Sequence, residues 1–348
     1  MQLKRLLLSG LALFAGLAVA TTAKPAMASP DKPIIALSNA YYGNIWRHQM
    51  VEAFKAAAEK AKAKGLIGGY VILNGDGSVN QQNSQLAELI LKGVDAIAID
   101  AASETAENGL IQKACHAGIK VVSFDSIASA PCNTQLNFDF TGYKKTQAGL
   151  VMNMIHHKGN IIIVRGVKGS APDVAMYGAQ QQVLKDNPNV KVVATVFGQA
   201  TASVAQAAIA NVLPSLPHVD AVLGQGGDDY GDAQAFAQYG GSYVNHMPII
   251  EGGGSSNFIR WWAAENAKNG YETISMNTTP GIGGAAFWLT LAIVKGAHVP
   301  KTLIMPVATV NASNLKQYAD LPPNIIVSPS YSQAWVQAHL LKQKPGAN

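Results

Sequence analysis

Short β-branched runs alternate with longer helical stretches along most of this 348-residue chain. Runs at 33–38, 69–73, 96–100 and 120–124 read as strands, and 46–64, 79–92 and 104–116 between them read as helices. The first helix is rich in Ala, Glu and Lys and is stopped by Gly65, and the second carries Leu86, Leu89 and Ile90 on one face. Strict strand–helix alternation of this kind predicts a parallel sheet with right-handed crossovers and helices on both faces.

The alternation then starts again. Strands are predicted at 160–164, 190–196, 221–223 and 248–250, and helices at 174–185, 203–212, 232–239 and 256–268, after a helix at 141–157. About 320 residues beyond the N-terminal leader exceed one ordinary core. The expected fold class is therefore α/β, with two doubly wound parallel-sheet lobes. Further elements follow: a strand-like run at 272–276, a strong helix at 280–295, an extended run at 303–310 and a helix at 331–341. They imply that the chain recrosses between lobes near 139–141, 276–279 and 304–307, a three-crossing hinge. The expected division is 29–139 plus 278–305 for the N-terminal lobe and 140–277 plus 306–348 for the C-terminal lobe.

The first 28 residues read as a secretory signal peptide. Lys4 and Arg5 precede an apolar run over 6–20, and Ala26-Met27-Ala28 offers a small-x-small cleavage site. The apolar run is shorter than the roughly 20 residues that span a bilayer. A periplasmic location follows. Loss of the leader removes Lys4, Arg5 and Lys24, leaving 23 basic against 21 acidic residues, a net charge of +2. That balance, with no dense basic run among aromatics, argues against nucleic acid as a partner. Cys115 and Cys132 are the only cysteines. An oxidising compartment favours a disulfide between them, with two buried thiols as the alternative. No cofactor or metal is expected. Asp228, Asp229 and Asp232 lack the spacing of a calcium loop, and the eight histidines are scattered. Nor does the chain carry a GxGxxG at a first βα turn, a GxxxxGK[ST] or a GxSxG elbow, so an enzyme is not expected.

Several blocks, in this order, carry a resemblance. They are IALSNAYYGNIWRHQMVEAFKAAAEKA at 34–61, LILKGVDAIAIDAAS at 89–103, HAGIKVVSFDS at 116–126, VDAVLGQGGDD at 219–229 and TPGIGGAAFWLTLAIVKG at 279–296. Together, behind a signal peptide, they resemble the ribose/galactose-type periplasmic sugar-binding proteins of ABC transporters, with the type I binding-protein fold. The resemblance implies a ligand in the cleft between lobes, at the carboxyl ends of the strands. Open α/β sheets bind ligands there on general grounds.

The candidate ligand residues come from strand ends, where planar polar groups and aromatic rings suit a hydroxylated ring. In the loop Tyr42-Gly43-Asn44-Ile45-Trp46-Arg47 the resemblance implies a hydrogen bond from Asn44, stacking by Trp46 and a two-bond clamp by Arg47. The alternative is that Trp46 packs under the helix and Arg47 reaches solvent. Asp125 takes the place of a hydroxyl-binding family Asp. Ser126 stands where the family has Arg, and 174–177 lacks the family's second Arg. Asp173 is a candidate contact or a helix N-cap. Gln225 and Asp228 follow a later strand, with Asp229 as alternate. Glu251 and Asn277 occupy the places of a family Asp and Gln. The implied ligand is a sugar or polyol, delivered by a monomeric binding protein to ABC permease subunits. A membrane chemoreceptor or sensor kinase as partner, or a non-sugar polar solute as ligand, is the alternative reading.

Overall fold

A computed structural model describes residues 31–344. The predicted signal peptide lies outside the described residues. Strands β1 (Ile34–Asn39), β2 (Gly69–Asn74), β3 (Ala96–Asp100), β4 (Lys120–Phe124) and β5 (Thr134–Phe138) alternate with α1 (Ile45–Ala63), α2 (Val79–Lys92) and α3 (Asn108–His116). All five strands are parallel, in the order β5-β4-β3-β1-β2. The interior strands are buried on both faces; β3 (AIAID) has no exposed residue, as parallel strands under helices require. Caps stop the helices where the sequence changes character. The Asn44 side chain accepts from Arg47 N to start α1, Ser78 does the same for Gln81 N at α2, and Gly93 ends α2 in the left-handed region.

After α4 (Phe140–Met154), a second sheet forms from β6 (Gly159–Arg165), β7 (Val190–Phe197), β8 (Ala221–Leu223) and β9 (Ile249–Ile250), in the order β7-β6-β8-β9. Helices α5 (Ala171–Lys185), α6 (Ala202–Val212), α7 (Asp229–Tyr239) and α8 (Ser256–Asn269) cover it. Next come β10 (Ser275–Asn277), α9 (Ile282–Val294), β11 (Thr302–Met305) and β12 (Ala308–Val310), and finally the short α10 (Leu315–Tyr318) and α11 (Gln333–His339). β11 adds in parallel to β5 in the first sheet, whereas β12 pairs antiparallel with β10. A parallel bridge from Gly252 to Ser275 joins β10 to the end of β9. The second sheet thereby repeats the order of the first, strand for strand.

The structure amends three sequence expectations. The run at 303–310 is two strands in two different sheets, broken at Pro306, which cannot donate to a ladder. β5 was not foreseen, because TQLNF is half polar and offers no apolar run. The third amendment concerns the chain end: Tyr331, Val336 and Leu340 pack in the first lobe's core with Phe287 and Trp288. The segment at 306–348 therefore does not belong wholly to the second lobe, and the chain passes between cores a fourth time, near 328–331. α9 is the centre of that first core. It is buried over most of its length and lies against α1, with Phe54 edge-on to Phe287 at 5.3 Å. A Cβ on Gly283 would sit 2.1 Å from Met50 O, so only glycine permits this helix contact.

Cys115 and Cys132 form a disulfide that ties α3 to the loop before β5. Lys301 Nζ holds the same loop through the carbonyl oxygens of Ala130, Pro131 and Asn133. Closing a 17-residue separation restricts the unfolded chain by roughly 3 kcal/mol. The double variant Cys115→Ser, Cys132→Ser is expected to lose about that much in urea denaturation. It should retain ligand binding, since the bridge lies away from the cavity described below.

Candidate ligand-binding site

Every parallel strand delivers its carboxyl end to one edge of its sheet, and both sheets put their polar residues there. In the first sheet, Asn39 pairs in register with Asn74 on one side and Asp100 on the other, a row of polar groups across three strand ends. Asn39 Nδ2 donates to Asn74 Oδ1 at 2.9 Å. Arg47, from the first turn of α1, reaches into this row. Its Nη1 donates to Asn39 Oδ1 at 3.0 Å and pairs with Asp100 Oδ2, and its Nη2 lies 3.9 Å from Asp125 Oδ2. Arg47 is only 6% exposed, so the alternative of a solvent-reaching side chain is overturned. Its charge is what keeps two buried carboxylates tolerable. Asp125 sits in the left-handed region at φ 55, a conformation that costs energy for any residue but glycine and is least costly for Asp and Asn. Burial pushes its carboxyl up to about 6 against the opposing pull of Arg47. Burial also raises Asp100, again opposed by Arg47.

The second sheet answers with a different set. Arg165, the last residue of β6, makes a two-bond fork to Asp173: Nε to Oδ1 at 3.0 Å and Nη2 to Oδ2 at 2.7 Å. Its guanidinium lies over Tyr177 at 4.2 Å and Phe197 at 4.9 Å. Asp173 is not the N-cap of α5; Ser170 is. Gln225 uses both ends of its amide, accepting from Gly166 N at 2.8 Å and donating to Asp173 O at 3.2 Å. It thereby locks the loops after β6 and β8 together. Asn277 Nδ2 donates to Thr278 O and Val327 O, in the second crossing and beside the fourth, while its buried Oδ1 has no partner.

Between the two edges lies a cavity of about 80 Å³. The structure brings Asn44, Trp46, Arg47, Asp125, Asp173, Gln225 and Asn277 to its wall, together with Phe140 and Met176, which the sequence did not single out. Trp46 stands partly exposed at the wall with Nε1 donating to Thr278 O at 3.1 Å, while also packing against the first core. Part of the second lobe's wall is glycine, at Gly166, Gly226, Gly227 and Gly253. A Cβ on Gly253 would meet Gly226 Cα at 2.3 Å, so the loops after β8 and β9 touch only because residue 253 is glycine.

Four expected residues are not on this wall. Tyr42 is exposed, its ring tilted against that of His48 at 4.2 Å. Ser126 is fully buried behind Asp100, its backbone N–H donating to Asp100 Oδ1 at 3.3 Å. Asp228 turns inward and accepts from Gln225 N and Gly226 N, so it shapes the loop. Glu251 is buried against Lys144, whose Nζ also donates to Gly224 O and Gln147 Oε1. The alternate acid, Asp229, accepts from Gly253 N and Ser255 N. Sequence reasoning missed Asp100, Arg165 and Lys144. The first two were within reach, because each is a charged residue at the end of a β-branched run, the same signal that marked Asp125. Lys144 gave none, lying on a helix whose buried face cannot be told from its exposed one.

A model of the periplasmic binding protein domain matches residues 35–298. The chain belongs to the periplasmic binding protein family. A solved member, an ABC transporter solute binding protein from Thermobispora bispora, is 36% identical to it, with a TM-score of 0.84 over 90% of this chain and 98% of that one. More distant members share the fold. A Mycobacterium smegmatis protein solved with β-D-fucofuranose is 21% identical, with a TM-score of 0.71 over 82% of this chain and 93% of its own. An ABC transporter periplasmic solute binding protein from Actinobacillus succinogenes, solved with D-allose, is 18% identical, with a TM-score of 0.69 over 82% and 100%. No curated protein matches the chain.

Beneath the second lobe's wall lie Asp228, Asp229, Asp232 and Glu251, all fully buried, with Lys144 paired to Glu251. Burial raises every one of these carboxyls, Asp229 to about 6 and Glu251 to about 7. A carboxyl raised on folding takes up a proton as the chain folds. Its stabilising contribution is complete below the unfolded value and is lost as pH rises through the folded one. For Asp125 and Asp229 that window runs from 3.8 to about 6, and for Glu251 from 4.5 to about 7. The melting temperature is therefore expected to fall between pH 5 and pH 7.5, and Glu251→Gln to flatten the slope. A melting temperature that rises over this interval contradicts the assignment.

Proposed function

We propose that this protein captures a neutral sugar or polyol between its two lobes and presents it to the permease of an ABC importer. The observation that carries the reading is the composition of the cavity wall: an indole, a guanidinium, carboxylates and carboxamides, contributed from facing strand ends of two separate sheets. Planar multidentate groups replace the water shell of a hydroxylated ring, and the indole covers its C–H face. The cavity of about 80 Å³ has room for a few water-sized bodies, so its polar wall is a hydrated one that a hydroxylated guest can take over. Charge favours a neutral guest. Arg47 is matched by Asp100 and Asp125, and Arg165 by Asp173, so an anionic ligand finds no free cation at the wall. The named ligands of the distant relatives, fucofuranose and allose, are neutral sugars as well.

Ligand bonds to both edges favour the closed arrangement by differential affinity, and the permease reads that arrangement. The hinge comprises the crossings near 139–141, 276–279 and 304–307, with the passage near 328–331 as a fourth. The second lobe is then 140–277 with the segment between the last two crossings. Export follows from the N-terminal leader, with cleavage near Ala28. The chain acts as a monomer that binds its ligand and does not transform it.

A thermal-shift panel of pentoses, hexoses, polyols, sugar acids and amino acids tests the reading. A neutral sugar or polyol is expected to raise the melting temperature, and the matching sugar acid to raise it less. A shift with amino acids alone, or with sugar acids in preference to neutral sugars, overturns it. For the sugar or polyol that binds, Asp125→Asn should weaken affinity about 10- to 100-fold, the worth of one charge-assisted hydrogen bond. The circular dichroism spectrum should stay unchanged.

A further inference from the structure

A second cavity, of about 170 Å³, adjoins the first. The two share four wall residues: Asn44 and Trp46 from the first lobe, Ala200 and Gly227 from the second. The outer cavity is about twice the volume of the inner one, and its wall differs in character. Ile45, Tyr230 and Ile325 give it apolar wall, His48, Thr201, Ser255, Asn257 and Asn324 border it as well, and no ion pair does.

The boundary between the chambers is asymmetric. On the first lobe it is the Trp46 indole, held by its bond to Thr278 O. On the second lobe it consists of a residue with no side chain, Gly227, and one with only a methyl group, Ala200. Their backbones are in close contact: a Cβ on Gly227 would meet Ala200 O at 2.6 Å. Gln199 and Ala200 both lie in the left-handed region, at φ 53 and φ 50, which non-glycine residues adopt only where the surroundings impose it. A strained loop with its side chains trimmed away makes a low sill opposite an aromatic ring.

We propose that the outer chamber is a subsite for a substituent on the bound sugar, and that the ligand is a glycoside: a polar ring in the inner chamber, and an aglycone or second sugar passing between Trp46 and the sill. The proposal rests on the sugar reading above and extends it. A free monosaccharide leaves an apolar-walled chamber filled with water, whereas a glycoside replaces that water with contact against Ile45 and Tyr230.

Isothermal titration of the wild-type protein tests this with neutral monosaccharides and the methyl and phenyl glycosides of each, in both anomeric forms. For one anomer the phenyl glycoside is expected to bind at least about tenfold more tightly than the free sugar. Thr201→Phe fills the outer chamber at a residue whose side chain caps no helix and makes a single bond, from Oγ1 to Gln199 O at 3.1 Å. It should abolish that gain and leave the affinity for the free sugar unchanged. Tyr230→Ala removes apolar wall and should reduce the gain in the same selective way, which covers the case in which Thr201→Phe does not fold. If a monosaccharide binds but both anomers of its glycosides bind more than about tenfold worse, the subsite is disproved and the sugar reading stands. The subsite is also disproved if both variants lower free-sugar and glycoside affinity equally. If neither sugars nor glycosides bind, the sugar reading itself fails and the subsite with it.

Discussion

A parallel sheet has only one edge at which its strands can finish. That constraint organises everything functional in this protein. Asn39, Asp100 and Asp125 lie together because β1, β3 and β4 end side by side, and Arg165 and Gln225 lie together because β6 and β8 do. The chain builds this edge twice, with the same strand order each time, and the crossings set the two edges face to face. Finishing the strands brings the wall together, and bonds between the loops, such as those of Gln225, then fix it.

The charges at the site are arranged for mutual neutralisation. Arg47 is shared by two acids, Arg165 forks onto one, and Lys144 pairs with Glu251 beside three further buried carboxyls. Removing any one of these cations would strand its partners in a dry interior, which costs far more than an exposed pair is worth. The wall is stiff for the same reason. Gln225, Asp228 and Asp229 spend their oxygens on neighbouring backbone N–H groups, so the loops after β8 and β9 are fixed before any ligand arrives.

Most of the fold was legible because alternation of β-branched and helical runs has few solutions. The elements that escaped are those where local composition and tertiary role diverge. β5 is half polar because it is held between β4 and β11, a partner that arrives more than 160 residues later. The site was partly legible by a single rule, that polar residues at strand ends face the cleft. The rule found Asp125 and would have found Asp100 and Arg165. It failed for Asp228 and Glu251 because a strand-end acid has two options: the wall, or the backbone N–H groups and lysine beneath it. Only packing decides between them. Tyr42 failed differently, since in a loop a shift of two residues from Asn44 is enough to turn a ring away from the cleft.

The fourth passage between the cores has a topological consequence. β1 opens in the first core, and Leu340, near the far end of the described chain, is buried in that same core. In ribbon terms the second body is made of two insertions into the first. Two fluorophores attached near Ile34 and Leu340 would ride on one rigid object and report a constant separation at every hinge angle. An optical reporter of this molecule needs one of its dyes on the inserted body, for example along the exposed side of α6.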